Sequence, residues 1–244
     1  LKRESFFLLN GQWDFAFDDE NIGVLEGWSH TVRGDRKINV PFTYETGKSG
    51  IGDERPHGVI WYWKNITITN EFKKDQSIQI NFEGCDYHLD LWVNGVYKGS
   101  HDGAYTRFAF ELGKFAEGEE VLLSIRVEDP HSEEQVRGKQ RWLSDNYGCW
   151  YVQTTGIWKD VWLEQVSDDY VEKIKITPDI YKKTVTIHTM CHSNKENLIM
   201  KSDVYFEGKF INSVSGKLEA GVCQMDIDVY NKYVGEWGDR TVES

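Results

Sequence analysis

Residues 86–99, DYHLDLWVNGVYKG, restrict the fold of this chain more than any other stretch. Tyr87, Leu89, Leu91 and Val93 alternate with His88, Asp90 and Trp92. A period of two sends successive side chains to opposite faces, which is the mark of a strand. The run ends in Asn94-Gly95. A two-residue type I′ turn needs φ > 0 at both central positions, and Asn and Gly tolerate that best. Val96 and Tyr97 begin the return strand, and Gly99 marks where it bends or stops. A lone hairpin is marginal in water, so further strands must complete a sheet around it.

Such strands recur along the chain. Trp13, Phe15 and Phe17 face away from Asp14, Ala16 and Asp18. Residues 18–37 read as a polar, Gly-punctuated loop with Trp28 folded back, and residues 38–41 as a short strand ended by Pro41. Residues 42–59 carry Gly47, Gly50, Gly52 and Gly58 and predict a long irregular loop, the kind of segment that often binds ligands. In residues 60–69, Tyr62, Ile66 and Ile68 share one face, with Trp61 and Trp63 on the other. Strands are predicted at 77–82, at 105–111, and at 121–128, where Val121, Leu123, Ile125 and Val127 alternate. Residues 129–151 form a second long irregular region. Residues 156–166 predict one strand, with Ile157, Val161 and Leu163 opposite Trp158 and Trp162.

Around Ser167-Asp168-Asp169 the aromatic density falls. Five shorter strands follow, at 171–177, 184–190, 201–206, 210–214 and 222–229. Helical periodicity nowhere holds beyond about two turns, so antiparallel sheets without helical crossovers are expected. The reading is an all-β chain with a sandwich over 1–167 and a second sandwich over 168–244. The second is shorter than the ~100 residues of a complete seven-strand sandwich, so a truncated one is expected.

Composition narrows the ligand. Twelve Tyr, twelve Phe and ten Trp in 244 residues supply ample apolar bulk for a core and favour a carbohydrate partner, because exposed aromatic rings stack on pyranose faces. Lys and Arg total 28 against 40 Asp and Glu, a formal net charge of −12, which argues against nucleic acid and against anionic membranes. No run of ~18 apolar residues predicts a membrane span. Cys85, Cys149, Cys191 and Cys223 form no CxxC pair, and free thiols are expected. Asn65-Ile66-Thr67 matches the N-glycosylation acceptor pattern but lies within a predicted strand. Leu1 stands where an initiator Met would, so residue 1 is read as a processing boundary, and the compartment is not legible.

Three pieces in order resemble the N-terminal half of glycoside hydrolase family 2, the family of β-galactosidases, β-glucuronidases and β-mannosidases. The first is Leu9-Asn10-Gly11-Gln12-Trp13, followed by Val40-Pro41 and the strand after Trp61. The second is Leu91-Trp92-Val93-Asn94-Gly95 with Gly99 and Asp102. The third is Thr155-Gly156-Ile157-Trp158 through Val161-Trp162-Leu163-Glu164, close to the family's TGIW…VWLE signature. The resemblance implies a galactose-binding-like jelly-roll β-sandwich followed by an immunoglobulin-like β-sandwich. It also implies that a (β/α)₈ barrel beyond these residues carries the catalytic glutamates, so no catalytic residue is expected here. A homo-oligomeric parent is compatible with it.

In that family the jelly roll lends residues to the rim of the barrel's active site. Some β-galactosidases have an Asn two residues after the Val-Pro pair, where this chain has Thr43, followed by Tyr44. A family Asp six residues before the Gly of the TGIW signature falls on Trp150, and the nearest acid is Asp145, beside Asn146. Thr43, Tyr44, Asp145, Asn146 and Trp150 are therefore the candidate substrate contacts. Lys139 and Arg141 either face an acidic substrate or pair with nearby acids. Retaining hydrolysis needs two carboxylates about 5–5.5 Å apart, and the sequence singles out no such pair. No GxSxG and no zinc spacing occurs, and no cofactor is expected, although the acidic loops are compatible with a structural Ca²⁺. Two functions follow: a non-catalytic sugar-binding portion of a β-glycosidase, or a free-standing carbohydrate-binding module.

Overall fold

The computed structural model describes residues 5–130, 134–143 and 145–229. These form two compact units, one ending at Val166 and the other beginning at Ser167.

The first unit contains twelve strands in chain order: β1 (Phe6–Leu8), β2 (Gly11–Phe17), β3 (Arg36–Val40), β4 (Val59–Thr67), β5 (Ser77–Phe82) and β6 (Cys85–Asp86), then β7 (His88–Val93), β8 (Val96–Asp102), β9 (Phe108–Gly113), β10 (Glu120–Glu128), β11 (Gly156–Ile157) and β12 (Val161–Val166). Six lie in one antiparallel sheet in the order β3-β2-β4-β10-β7-β8, and four in another, β1-β12-β5-β9. β6 and β11 make a short separate ladder. This is the jelly-roll sandwich.

Period-two patterning built it. Val121, Leu123, Ile125 and Val127 of β10 are fully buried, as are Leu89 and Leu91 of β7. They meet Ile78, Ile80 and Phe82 of β5 and Leu163 of β12 in one core between the sheets. At the β7–β8 turn, Asn94 and Gly95 have φ of 49° and 78°, the left-handed pair a type I′ hairpin requires. The Asn94 side chain then accepts from the Leu122 N–H at 2.8 Å, tying the turn to β10.

The large sheet is buried on its outer face too. Trp61 and Trp63, which point away from the core, stack with ring centroids 5.8 Å apart, and the loop after β2 covers them with Trp28 and Val32. Asp18 pins that loop. Its two carboxylate oxygens accept from Ile22 N–H, Gly23 N–H and Trp61 Nε1 at 2.8–3.0 Å.

Three local readings change. The expected strand over 156–166 is interrupted at residues 158–160, because Trp158 turns aside to donate from Nε1 to the Ala104 carbonyl at 2.9 Å. The strand expected from 105 starts at Phe108. β1 had no alternating signal to reveal it in three residues, yet it pairs with β12.

The second unit holds β13 (Tyr170–Asp179), β14 (Thr184–His192), β15 (Ile199–Phe206), β16 (Lys209–Lys217) and β17 (Val222–Asp228). β13-β14-β17 form one antiparallel sheet and β15-β16 another, the immunoglobulin-like portion. Its best-buried apolar side chains are Ile227, Cys223, Met225 and Ile187. Among the described residues there is no α-helix and all four cysteines are free.

Candidate functional site

The two long loops meet in the first unit. β10 ends where β4 begins, since Glu128 pairs with Val59 and the Asp129 N–H donates to the Gly58 carbonyl at 3.0 Å. Loop 41–58 arrives at this point and loop 129–155 departs from it. Arg141 clamps them together and is only 6% exposed. Its Nε donates to Gln153 Oε1 at 3.1 Å, one Nη to Asn146 Oδ1 at 3.1 Å and the other to the Glu54 carbonyl at 2.9 Å. Gln153 Nε2 donates to the same carbonyl at 2.9 Å. The planar guanidinium fork suits this task, because it reaches three acceptors from one rigid group. Arg141 also pairs with the Glu54 carboxylate at 3.6 Å and is thus engaged within the protein.

Three buried carboxylates, Glu45, Asp86 and Asp129, bond residues of the second loop. Asp129 accepts from Gln135 Nε2 at 2.5 Å and from Thr155 Oγ1 at 2.7 Å. Glu45 Oε1 accepts from the Thr155 N–H at 3.0 Å. Asp86 accepts from Gln140 Nε2 at 2.7 Å, and Gln140 Oε1 accepts from the Thr154 N–H at 2.8 Å. Burial raises the carboxyl of Glu45 to about 7, against hydrogen bonds from Thr43 and Thr155, with the charge of Asp129 adding to the rise. Burial and Asp129 likewise raise Asp86 to about 7. Desolvation disfavours an ionised carboxylate more than these few donors can offset.

The sequence candidates are placed unequally. Tyr44 is fully buried, packed on Phe15, Phe17 and His57. Its hydroxyl donates to the Arg55 carbonyl at 3.2 Å and accepts from the His57 N–H at 3.1 Å. Its ring is thus buried and its hydroxyl engaged within loop 41–58. Thr43 is buried beside Glu45. Asp145 and Asn146 are exposed on the second loop, and Asn146 is oriented by Arg141. Trp150 is half-buried, its ring 4.7 Å from that of Trp142 and tilted 68° to it. Trp142 is 49% exposed and Tyr151 is 52% exposed. The sequence reading missed Glu45, Asp86, Asp129 and Gln140. The available signal was position, since Asp86 and Asp129 are acids abutting the ends of strongly apolar strands.

Among the described residues no group of three or more His, Cys, Asp or Glu side chains is arranged to hold a metal ion. The second unit carries a separate cleft of about 200 Å³, lined by Tyr170, Val171, Cys191, His192, Ile199 and Leu218, and it contains none of the candidate residues.

A family model described as glycosyl hydrolases family 2, sugar binding domain, matches residues 6–167. A beta-galactosidase of Thermoanaerobacterium thermosulfurigenes is 27% identical over 213 residues, covering 86% of this chain and 28% of its own length. A beta-galactosidase of Thermoanaerobacter pseudethanolicus is 24% identical over 181 residues, covering 72% of this chain and 21% of its own. The crystal structure of Ruminococcus gnavus beta-glucuronidase superposes over 95% of this chain and 40% of its own, with a TM-score of 0.70 at 15% identity, a likeness of fold. The chain spans less than half the length of each.

Proposed function

Because the chain belongs to glycosyl hydrolases family 2 through its sugar-binding domain, we propose that it is the non-catalytic N-terminal portion of a β-glycosidase, lending two loops to the rim of an active site on a catalytic domain elsewhere in a longer protein. The observation that carries this is the joint fixing of loops 41–58 and 129–155 by Arg141 and Thr155. Long loops held in one geometry by buried polar side chains are what a rim requires, since a contact displaced by about 1 Å can cost about a hundredfold in rate.

Asn146 and Asp145 are the proposed polar contacts and Trp150, backed by Trp142, the proposed apolar wall. Thr43 and Tyr44 stand behind them as supports. The carboxylates that cluster in this unit are buried, at 6% exposure or less, out of reach of a glycosidic bond. Hydrolysis by two flanking carboxylates therefore has no counterpart at this cluster.

The purified chain should show no turnover of aryl β-glycosides, and calorimetry should show weak or no binding of galactose or glucuronic acid. Turnover that survives exclusion of contaminating enzymes would overturn the reading. In the longer protein, Asn146→Ala should raise KM. An unchanged KM would remove Asn146 from the rim. The second reading, a free-standing module that grips a polysaccharide, draws on the exposure of Trp142 and Tyr151. Micromolar affinity of the isolated chain for a simple sugar would favour it.

A further inference from the structure

We propose that Glu45, Asp86 and Asp129 form a proton-operated latch that sets how tightly residues 134–143 and 145–155 of the second loop are held against the scaffold and loop 41–58. The three carboxylates are 6%, 2% and 1% exposed. Each sits on a different anchor: Glu45 on loop 41–58, Asp86 on β6 and Asp129 at the end of β10. Apart from Thr43, on the same loop as Glu45, the donors named above come from the second loop, from Gln135, Gln140 and Thr155, with Thr154 bonded in turn to Gln140. The loop is therefore fastened to the molecule through carboxylates.

The arrangement is short of donors. Glu45 Oε2 and Asp86 Oδ1 are buried with no hydrogen-bond partner. Glu45 faces the Asp129 carboxylate and the phenols of Tyr44 and Tyr62. Asp86 faces Asp129, the Cys85 thiol, the Tyr105 phenol and the guanidinium of Arg137, which is the cation set against it. With all three acids ionised, like charges share a buried space, and two of their oxygens gain nothing in return for lost water. A proton on Glu45 or Asp86 removes one charge and its repulsion with Asp129, while the second oxygen still accepts its existing bond. Proton uptake thus favours the fastened loop. Loss of both protons favours lifting the loop so that water can reach the carboxylates. Both groups titrate near neutrality, which places the change in the range where a small shift in pH acts.

The latch does not depend on the proposed function. Only its consequence for sugar access rests on that reading. The test is amide hydrogen exchange on the whole chain without any sugar, at about pH 6 and about pH 8, corrected for the intrinsic pH dependence of exchange. Protection of the Thr154 and Thr155 amides should fall by about tenfold across this interval, one pKa unit of differential interaction being a factor of ten. Protection in β4 and β10 should stay constant. Glu45→Gln and Asp86→Asn together keep the shapes and remove the titration, so the fall should vanish. Constant protection of Thr154 and Thr155 in the unsubstituted chain would overturn the latch, as would a fall that persists in the double variant. Failure of sugar binding would leave it standing.

Discussion

At Gly156 the backbone has φ +97°, and a Cβ placed there would lie 2.1 Å from the Tyr62 hydroxyl and 2.9 Å from Ile60 Cδ1. Two independent costs coincide, a left-handed conformation that L side chains resist and a clash with a fully buried ring. Gly156→Ala should therefore lower unfolding free energy by about 2–4 kcal/mol, read as a lower midpoint in urea at constant slope. The same hydroxyl accepts from the Ile157 N–H at 3.3 Å, so the glycine brings β11 against β4 and anchors the end of loop 129–155. This residue was conspicuous in the sequence as part of a motif. The reason for it, a tyrosine almost a hundred positions away, was not. Buried acids behave in the opposite manner. Nothing in the local sequence sets Glu45 apart from the many solvated Glu residues, because burial is a property of what folds over a side chain.

At the scale of elements, the two loops are held by few but buried groups, and two predictions follow from how those groups are satisfied. Arg141→Ala leaves Asn146 Oδ1, Gln153 Oε1 and the Glu54 carbonyl each short of a donor. It should cost about 1–3 kcal/mol and raise amide exchange in residues 145–153, with β10 unaffected. The second prediction concerns pH. Glu45 and Asp86 have folded-state values raised to about 7 from 4.5 and 3.8. The folded chain then binds more protons than the unfolded one between about pH 4 and about pH 7. The stability they contribute is fully present below the unfolded values and is lost as pH rises through the folded ones. Unfolding free energies from urea titrations should fall as pH is raised from about 4 to about 7, by an amount on the order of a few kcal/mol in all, and should flatten above about pH 8. A midpoint that rises across this range would contradict the assignment.

At the scale of the whole chain, two compact units adjoin at Val166 and Ser167. The first has a core of large rings between two sheets, and the second buries few large side chains. We propose that they are separate folding units. A chain ending at Val166 should then unfold cooperatively with a midpoint close to that of the same unit in the full chain, and limited proteolysis should cut first near residues 167–169. A broad, non-cooperative transition for the shortened chain would show that the second unit is needed for the first. Family membership comes from the first unit, and most of the length of each relative lies outside the portion this chain matches.

Alternation, turn residues and sequence motifs were enough to establish the all-β class, the Asn94-Gly95 hairpin, the inward faces of β4, β5, β7 and β10, and the family. These rest on interactions between near neighbours or on a period of two, which the chain displays in one dimension. The folding back of Trp28 was also legible, and the structure supplies its partners, Trp61 and Trp63. Tertiary structure alone decided the surroundings of the candidate residues. It buried Tyr44, engaged Arg141 within the loops, joined Thr155 to Glu45 across 110 positions and gathered three acids from separate segments around one loop. Long-range contact and the loss of water determine whether a carboxylate is a solvated surface charge or a proton-binding latch, and neither is written in the spacing of residues.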